Sequence, residues 1–371
     1  MQQTTAKTSA SSTRKPVKRA GAEAYIFVSL TCFGLTVAVT RVYLELTGYP
    51  QIGNSVLHFA HALWGGLLLF LATLVTLILA NRWAFTLSAA LSGVGVGLFI
   101  DEVGKFITQK NDYFFPPAAP IIYSAFLLMV LLFLLVRGAR GPSPRRSMYA
   151  VLTEFGEVLD SNLDAQERAH LLAELDNGRA SPDPHIARLA VQLAAYLQDE
   201  TIPLVPYRPS YWVRGQRWLR ALGEKLGRRR HRLLVIWLLV LGSAAALVVA
   251  VLLVLGALAA MAPIPDMLTL NVTIDETTTQ HPTWFAVRLI LQLLVSVLYL
   301  VALIRFWRGH ERGAVATALF AALLAFTMVN LVNFYVSQFG ALAAFFTNLA
   351  TLLVLLAYRA WYLTPPDVAT E

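Results

Sequence analysis

The sequence predicts an all-α fold: a polytopic integral membrane protein of about eight transmembrane helices, with a cytoplasmic helical insertion between the fourth and the fifth. Three observations carry this expectation. Of 371 residues, 57% are hydrophobic and only 14% charged, where a soluble domain carries roughly 25% charge. The apolar residues fall into long runs, each near the roughly 20 residues that cross the hydrocarbon core of a bilayer. Arg and Lys gather in alternate connections, the pattern that sets cytoplasmic loops apart.

Taken in order, residues 1–22 form a polar tail with Arg14, Lys15, Lys18 and Arg19 and no acid before Glu23. Such a composition favours disorder. It is shared by organelle transit peptides, but directly before an apolar run it reads as a basic tail that fixes orientation. Residues 23–138 hold four expected spans: Tyr25 to Leu46, Val56 to Ala80, Ala84 to Phe106, and Ile121 to Val136. Gly93, Gly95 and Gly97 lie along the third, and the Gly93-xxx-Gly97 spacing permits close helix approach. It is no phosphate loop, because no strand precedes it.

Residues 139–232 are polar and read as a cytoplasmic insertion. Asp164 and Glu167 form a capping-box pattern, Asn177-Gly178 is expected to stop that helix, and Asp183 with Pro184 starts the next. Ile186, Leu189, Leu193 and Tyr196 fall at helical spacing. We read this stripe as the face on which the insertion packs. The alternative is a docking face for a cytoplasmic protein partner, within residues 148–200. From Tyr211 to Arg232, Trp212, Trp218, Leu219, Leu222 and Leu226 alternate with Arg214, Arg217, Arg220, Lys225 and Arg228 to Arg230. A helix of this kind lies on an anionic membrane surface. The expected partners are therefore membrane lipids, not nucleic acid, despite the net charge of +8.

Residues 233–363 hold the remaining spans, Leu233 to Ala262, Trp284 to Phe306, Ala314 to Val336 and Ala341 to Tyr362, followed by a short tail at 364–371. With eight spans, the basic tail, Arg82, the insertion, Arg305, Arg308, Arg312 and Arg359 share one side. The acidic Asp275–Glu276 loop falls on the other. Both termini are then cytoplasmic, and the expected location is a bacterial plasma membrane. Trp83, Trp307 and Trp361 sit at the inner span ends as interfacial anchors. Asn271-Val272-Thr273 is a glycosylation tripeptide on the acidic side, meaningful only in a glycosylating host. Cys32 is the sole cysteine, which excludes intramolecular disulfides and multi-cysteine metal sites.

Candidate chemistry follows from depth. At about 1.5 Å per residue, the end of the first span, the start of the second and the end of the third lie in one shallow outer layer. That layer collects Arg41, Glu45, His58, His61, Asp101, Glu102 and Lys105. His58 and His61, three residues apart, share a helix face. With Asp101 and Glu102 they could hold a divalent metal such as zinc, with either carboxylate as ligand or catalytic base. Arg41, Glu45 and Lys105 would surround them. Arg41 and Glu45, or Asp101 and Lys105, could instead simply pair and join helices. A second polar group, Asn330, Asn333, Tyr335 and Gln338, marks the seventh span, with Arg288 just inside the sixth. Amides of this kind most often bridge helices.

Three functions fit: a membrane-embedded metal-dependent enzyme with an outer-face His/Asp/Glu site, a transporter or proton-coupled carrier using the same residues, or a structural or signalling membrane protein. The sequence shows no nucleophile elbow, nucleotide loop or paired-cysteine motif.

Overall fold

The computed structural model describes residues 16–48, 60–113, 115–138, 143–199, 201–207, 211–261, 282–337 and 340–363. Every element among them is a helix: α1 (Ala22–Thr47), α2 (His61–Ile78), α3 (Arg82–Asp101), α4 (Val103–Ile107), α5 (Ala118–Arg137), α6 (Pro144–Glu154), α7 (Gly156–Leu159), α8 (Ala165–Arg179), α9 (Pro184–Leu197), α10 (Tyr211–Met261), α11 (Pro282–Trp307), α12 (Glu311–Leu324), a π-helical segment (Ala325–Val329), α13 (Asn330–Ser337) and α14 (Ala341–Tyr362). Among the described residues, seven stretches are long and apolar enough to cross a membrane: α1, α2, α3, α5, the Ala286–Trp307 part of α11, the continuous run Glu311–Ser337, and α14. The expected fifth span falls on α10, which is helical through Met261. The acidic loop, the glycosylation tripeptide, His58, Gln338 and the C-terminal tail lie outside the described residues.

The chain forms two compact units. The first comprises the described parts of Met1–Thr40, Tyr49–Phe99 and Leu128–Ser210. Its glycines explain how α1, α2 and α3 pack. A Cβ on Gly93 would strike the Ser29 carbonyl and the Cys32 side chain, and one on Gly97 would meet Thr36 at 2.8 Å. Both contacts are on α1. Gly95, about 200° further round the helix than Gly93 at 100° per residue, meets α2 instead: Gly65 and Gly95 face one another backbone to backbone. α3 is thus held between two helices through small residues, the packing expected where lipid replaces water. Ser88 adds a 2.9 Å hydrogen bond to the Ala72 carbonyl.

The insertion is a helical domain with its own core of Met148, Val151, Leu163, Leu171, Leu175, Ala190, Ala194 and Leu197. Asp164 accepts from the Gln166 and Glu167 amides, and Glu167 closes the capping box; Asp183 caps α9 with Pro184 in its first turn. Two details differ from the sequence expectation. Gly178 does not stop α8, which runs to Arg179. Its missing side chain makes room for Met148 and Ala190. The buried stripe of α9 is centred on Ala190, Ala194 and Leu197, while Leu189 and Tyr196 are exposed. Close approach to α8 selects the small residues for the core side. The α2–α3 turn meets this domain, with Asn81 bonded to Asp160 at 3.0 Å and Arg82 3.4 Å from Glu167. Lys18 donates to the Val136 carbonyl at 2.6 Å. The tail end, the α2–α3 turn, the end of α5 and the insertion therefore share one face of this unit.

The second unit comprises Arg41–Gly48, Ile100–Leu127 and the described parts of Tyr211–Glu371. Its core runs through Val235, Leu239, Tyr299, Phe306, Ala318, Ala322, Phe326, Leu355 and Tyr358. The α11–α12 connection turns at Gly309, whose φ of +79° is one that glycine adopts without strain. Gly227, with φ 66° and ψ 157°, breaks α10 within its basic part, just before Arg228 to Arg230.

Candidate functional site

The outer-layer residues expected from depth separate into those the second unit brings together and those it does not. α3 ends at Asp101, and Glu102 sits at φ −91°, ψ 9° before α4 resumes. This break carries both carboxylates into the interior, where each is fully buried. Arg41, on the last part of α1 and itself 5% exposed, donates from Nε to the Asp101 carboxylate and from Nη2 to the Asp101 carbonyl at 2.8 Å. Lys105, one turn along, bonds Glu102 at 2.6 Å. The pairing is thus Arg41–Asp101 and Lys105–Glu102, not the local Arg41–Glu45 and Asp101–Lys105 pairs that sequence spacing suggests. Glu45 is exposed.

Tyr113 completes the cluster, although in sequence Asp112-Tyr113-Phe114-Phe115-Pro116-Pro117 reads as an interfacial aromatic and proline loop. The loop after α4 folds back because Asn111 adopts a left-handed conformation, the Asp112 amide bonds the Thr108 hydroxyl at 2.7 Å, and Gly104 leaves space for the Asp112 carbonyl. The Tyr113 hydroxyl then donates to Asp101 at 2.7 Å. Its ring lies 4.6 Å from the Arg41 guanidinium carbon and 5.2 Å from the Lys105 ammonium. Burial, followed by the charge of Asp101, pushes the Tyr113 phenol far above its ordinary value, so it stays a neutral donor. Among the described residues, the group pairs two acids with two bases.

His61 is the first residue of α2 and belongs to the first unit; His58 lies outside the described residues. Among the described residues, no group of three or more His, Cys, Asp or Glu side chains is placed to hold a metal ion.

A second constellation occupies the α11–α13 pair. These helices run antiparallel, with the Trp284 and Tyr335 rings 5.0 Å apart. That register sets Arg288 level with Leu331, between Asn330 and Asn333, and Gln292 level with Thr327, about one turn beyond Asn330. Asn348 on α14 donates to the Asn330 side-chain oxygen at 2.8 Å. Four buried atoms in this region lack a hydrogen bond of good geometry among the described residues: Arg288 Nε, Gln292 Oε1, Asn333 Oδ1 and Asn330 Nδ2, the last lying near the Tyr123 hydroxyl. Asn330 and Asn333 are 0% and 5% exposed. Immediately before α13 the helix widens into the π segment, and the Tyr123 hydroxyl of α5 donates to its Phe326 carbonyl. Such segments are rare and concentrate at functional sites. Sequence reasoning finds Asn330, Asn333 and Arg288 but misses Gln292, Asn348 and Tyr123, uncharged polar groups that carry no spacing signal of their own.

Chemically, the first constellation has its charges matched. The second offers two donors and two acceptors, one donor on a permanent cation, to something that can answer them. Compared with known protein families, curated proteins and solved structures, the chain matches none.

Proposed function

We propose that this chain is an integral membrane protein of eight spans, α10 supplying the eighth, with the insertion and both termini on the cytoplasmic side, and that it is a carrier for a small polar solute bearing a carboxylate. The four poorly bonded polar atoms on α11 and α13 carry this reading. Polar and ionisable groups inside a bundle mark solute paths, and each buried atom left unsatisfied costs about 1–3 kcal/mol. A carboxylate would answer Arg288 and the Asn330 amide, and a hydroxyl or ammonium on the same solute would answer Gln292 and Asn333. The π segment beside them supplies a helix turn that can shift without breaking the span. The Arg41–Asp101–Tyr113 and Lys105–Glu102 pairs hold the ends of α1 and α3 to the loop before α5.

This reading is favoured over the metal-dependent enzyme because both carboxylates proposed as ligand or base are already engaged by cations. The test is flux of small zwitterions and hydroxy acids into proteoliposomes, with thermal stabilisation of the purified protein by the same compounds. Wild type should respond to at least one, and Arg288→Leu and Asn333→Ala should abolish the response. Flux that is indifferent to both substitutions would refute the site. Stoichiometric zinc that is lost in His61→Ala would establish the metal reading instead.

A further inference from the structure

The arginine-rich end of the second unit contains a cavity of about 560 Å³, with Arg228, His310, Glu311, Arg312, Gly313 and Tyr362 in its wall. We propose that it binds the phosphate headgroup of an anionic phospholipid. The inference does not depend on the carrier reading.

Charge supplies the first reason. Arg228 to Arg230 and Arg232 end the basic part of α10, Arg305 lies in the last turn of α11 and Arg308 just after it, Arg312 is in the first turn of α12, and Arg359 lies in the last turn of α14. Glu311 is the acid in the cavity wall. It accepts from Arg228 at 2.7 Å and from the Tyr358 hydroxyl, so its charge is matched locally. Arg312 is exposed and makes no ion pair with Glu311. The first turn of α12 adds its own field. The His310, Glu311 and Ala314 amides bond neighbouring carbonyls, which leaves those of Arg312 and Gly313 at the start of α12, where the helix dipole favours an anion. His310, the residue before α12, provides no side-chain cap.

The surroundings identify the anion as a lipid. Trp307 is 89% exposed and Trp361 39% exposed at the ends of α11 and α14, the level at which indoles anchor at a bilayer surface. Further along these helices, Leu300, Ile304, Leu353 and Leu356 are exposed apolar side chains. A ligand with a phosphate for the cavity and acyl chains for that surface fits both, whereas free phosphate fits only the first. Basic pockets at the cytoplasmic ends of spans are the sites that anionic headgroups occupy.

The test is native mass spectrometry of the full chain released from micelles carrying equal phosphatidylglycerol and phosphatidylcholine, with an arm containing inorganic phosphate at the concentration of the phosphatidylglycerol. Wild type should retain one phosphatidylglycerol. Arg312→Gln should weaken retention about fivefold and the Arg228→Gln/Arg312→Gln pair about thirtyfold, the scale expected for one and two basic residues near an anionic surface. Arg179→Gln/Arg188→Gln, which removes equal charge from the insertion, should change nothing. Arg312→Gln keeps the Arg228–Glu311 pair, so its effect is read on a folded chain. Equal retention of phosphatidylcholine, an equal drop in the insertion variant, or no loss in Arg312→Gln would overturn the proposal. Displacement of the lipid by inorganic phosphate at equal concentration would assign the cavity to a soluble phosphate and overturn the lipid.

Discussion

Removing Arg41 should cost more than removing both members of its pair. In Arg41→Met the Asp101 carboxylate, 0% exposed, keeps the Tyr113 hydroxyl but loses the guanidinium that bonded both its side chain and its carbonyl. Breaking a buried pair from one side costs about 3–5 kcal/mol, whereas replacing both partners by apolar residues of similar volume is often neutral or stabilising. Asp101→Leu alone removes the carboxylate from a buried guanidinium and should cost a similar amount. The double variant Arg41→Met/Asp101→Leu should cost only about 1.5–3 kcal/mol, the loss of the Tyr113 hydrogen bond to Asp101, well below the sum of the two single variants. Reversible unfolding in mixed detergent micelles, followed by helicity, measures all four proteins. Single variants that each cost under about 1 kcal/mol, or a double variant equal to their sum, would refute a buried, mutually neutralising pair.

Tyr113→Phe should cost about 1.5–3 kcal/mol in the same assay, the scale of a hydrogen bond to a charged group, and the loss should vanish in the Asp101→Leu background. Gly95→Val should destabilise by about 1–3 kcal/mol through overpacking, since a Cβ there meets the Gly65 carbonyl at 2.8 Å, while Gly66→Val, with nothing within 4 Å, should be tolerated. In a chain with Cys32 replaced, cysteines at Ser143, Ser181 and Gly309 should resist an impermeant thiol reagent in intact cells and one at Thr278 should react; the opposite pattern would invert the topology.

What the sequence makes legible here is what depends on one segment at a time. Run length and hydropathy place the spans, and the side-chain chemistry of Asp164, Glu167, Asp183 and Pro184 places the starts of α8 and α9. The Gly93–Gly97 spacing marks a close contact because glycine has no other strong reason to sit in a span. Partner choice is less legible. Arg41 has Glu45 four residues away and Asp101 sixty residues away in sequence, and only the tertiary path of α3 with its break at Glu102 decides between them. Tyr113 reads as one more interfacial aromatic until the loop folds back. On α9 the large residues suggest a stripe centred near Leu189 and Leu193. Packing against Gly178 moves the core to the alanines, since backbone approach rewards small size over hydrophobic area. The π segment leaves no mark in composition at all.

The two constellations also differ in how a ligand can act on them, and that difference can be measured. Arg41, Lys105, Asp101 and Glu102 sum to zero charge, so an incoming anion must compete with a carboxylate already in place. Arg288 brings a cation whose Nε has no partner among the described residues, so an anion there gains an interaction without losing one. A solute at one hundred times its dissociation constant stabilises the state it binds by about 2.7 kcal/mol. That increment, measured against each variant's own ligand-free stability, should persist in full in Arg41→Met/Asp101→Leu and disappear in Arg288→Leu. If the double variant loses the increment and Arg288→Leu retains it, the solute is read by the ion-pair cluster and the α11–α13 amides serve only to join helices.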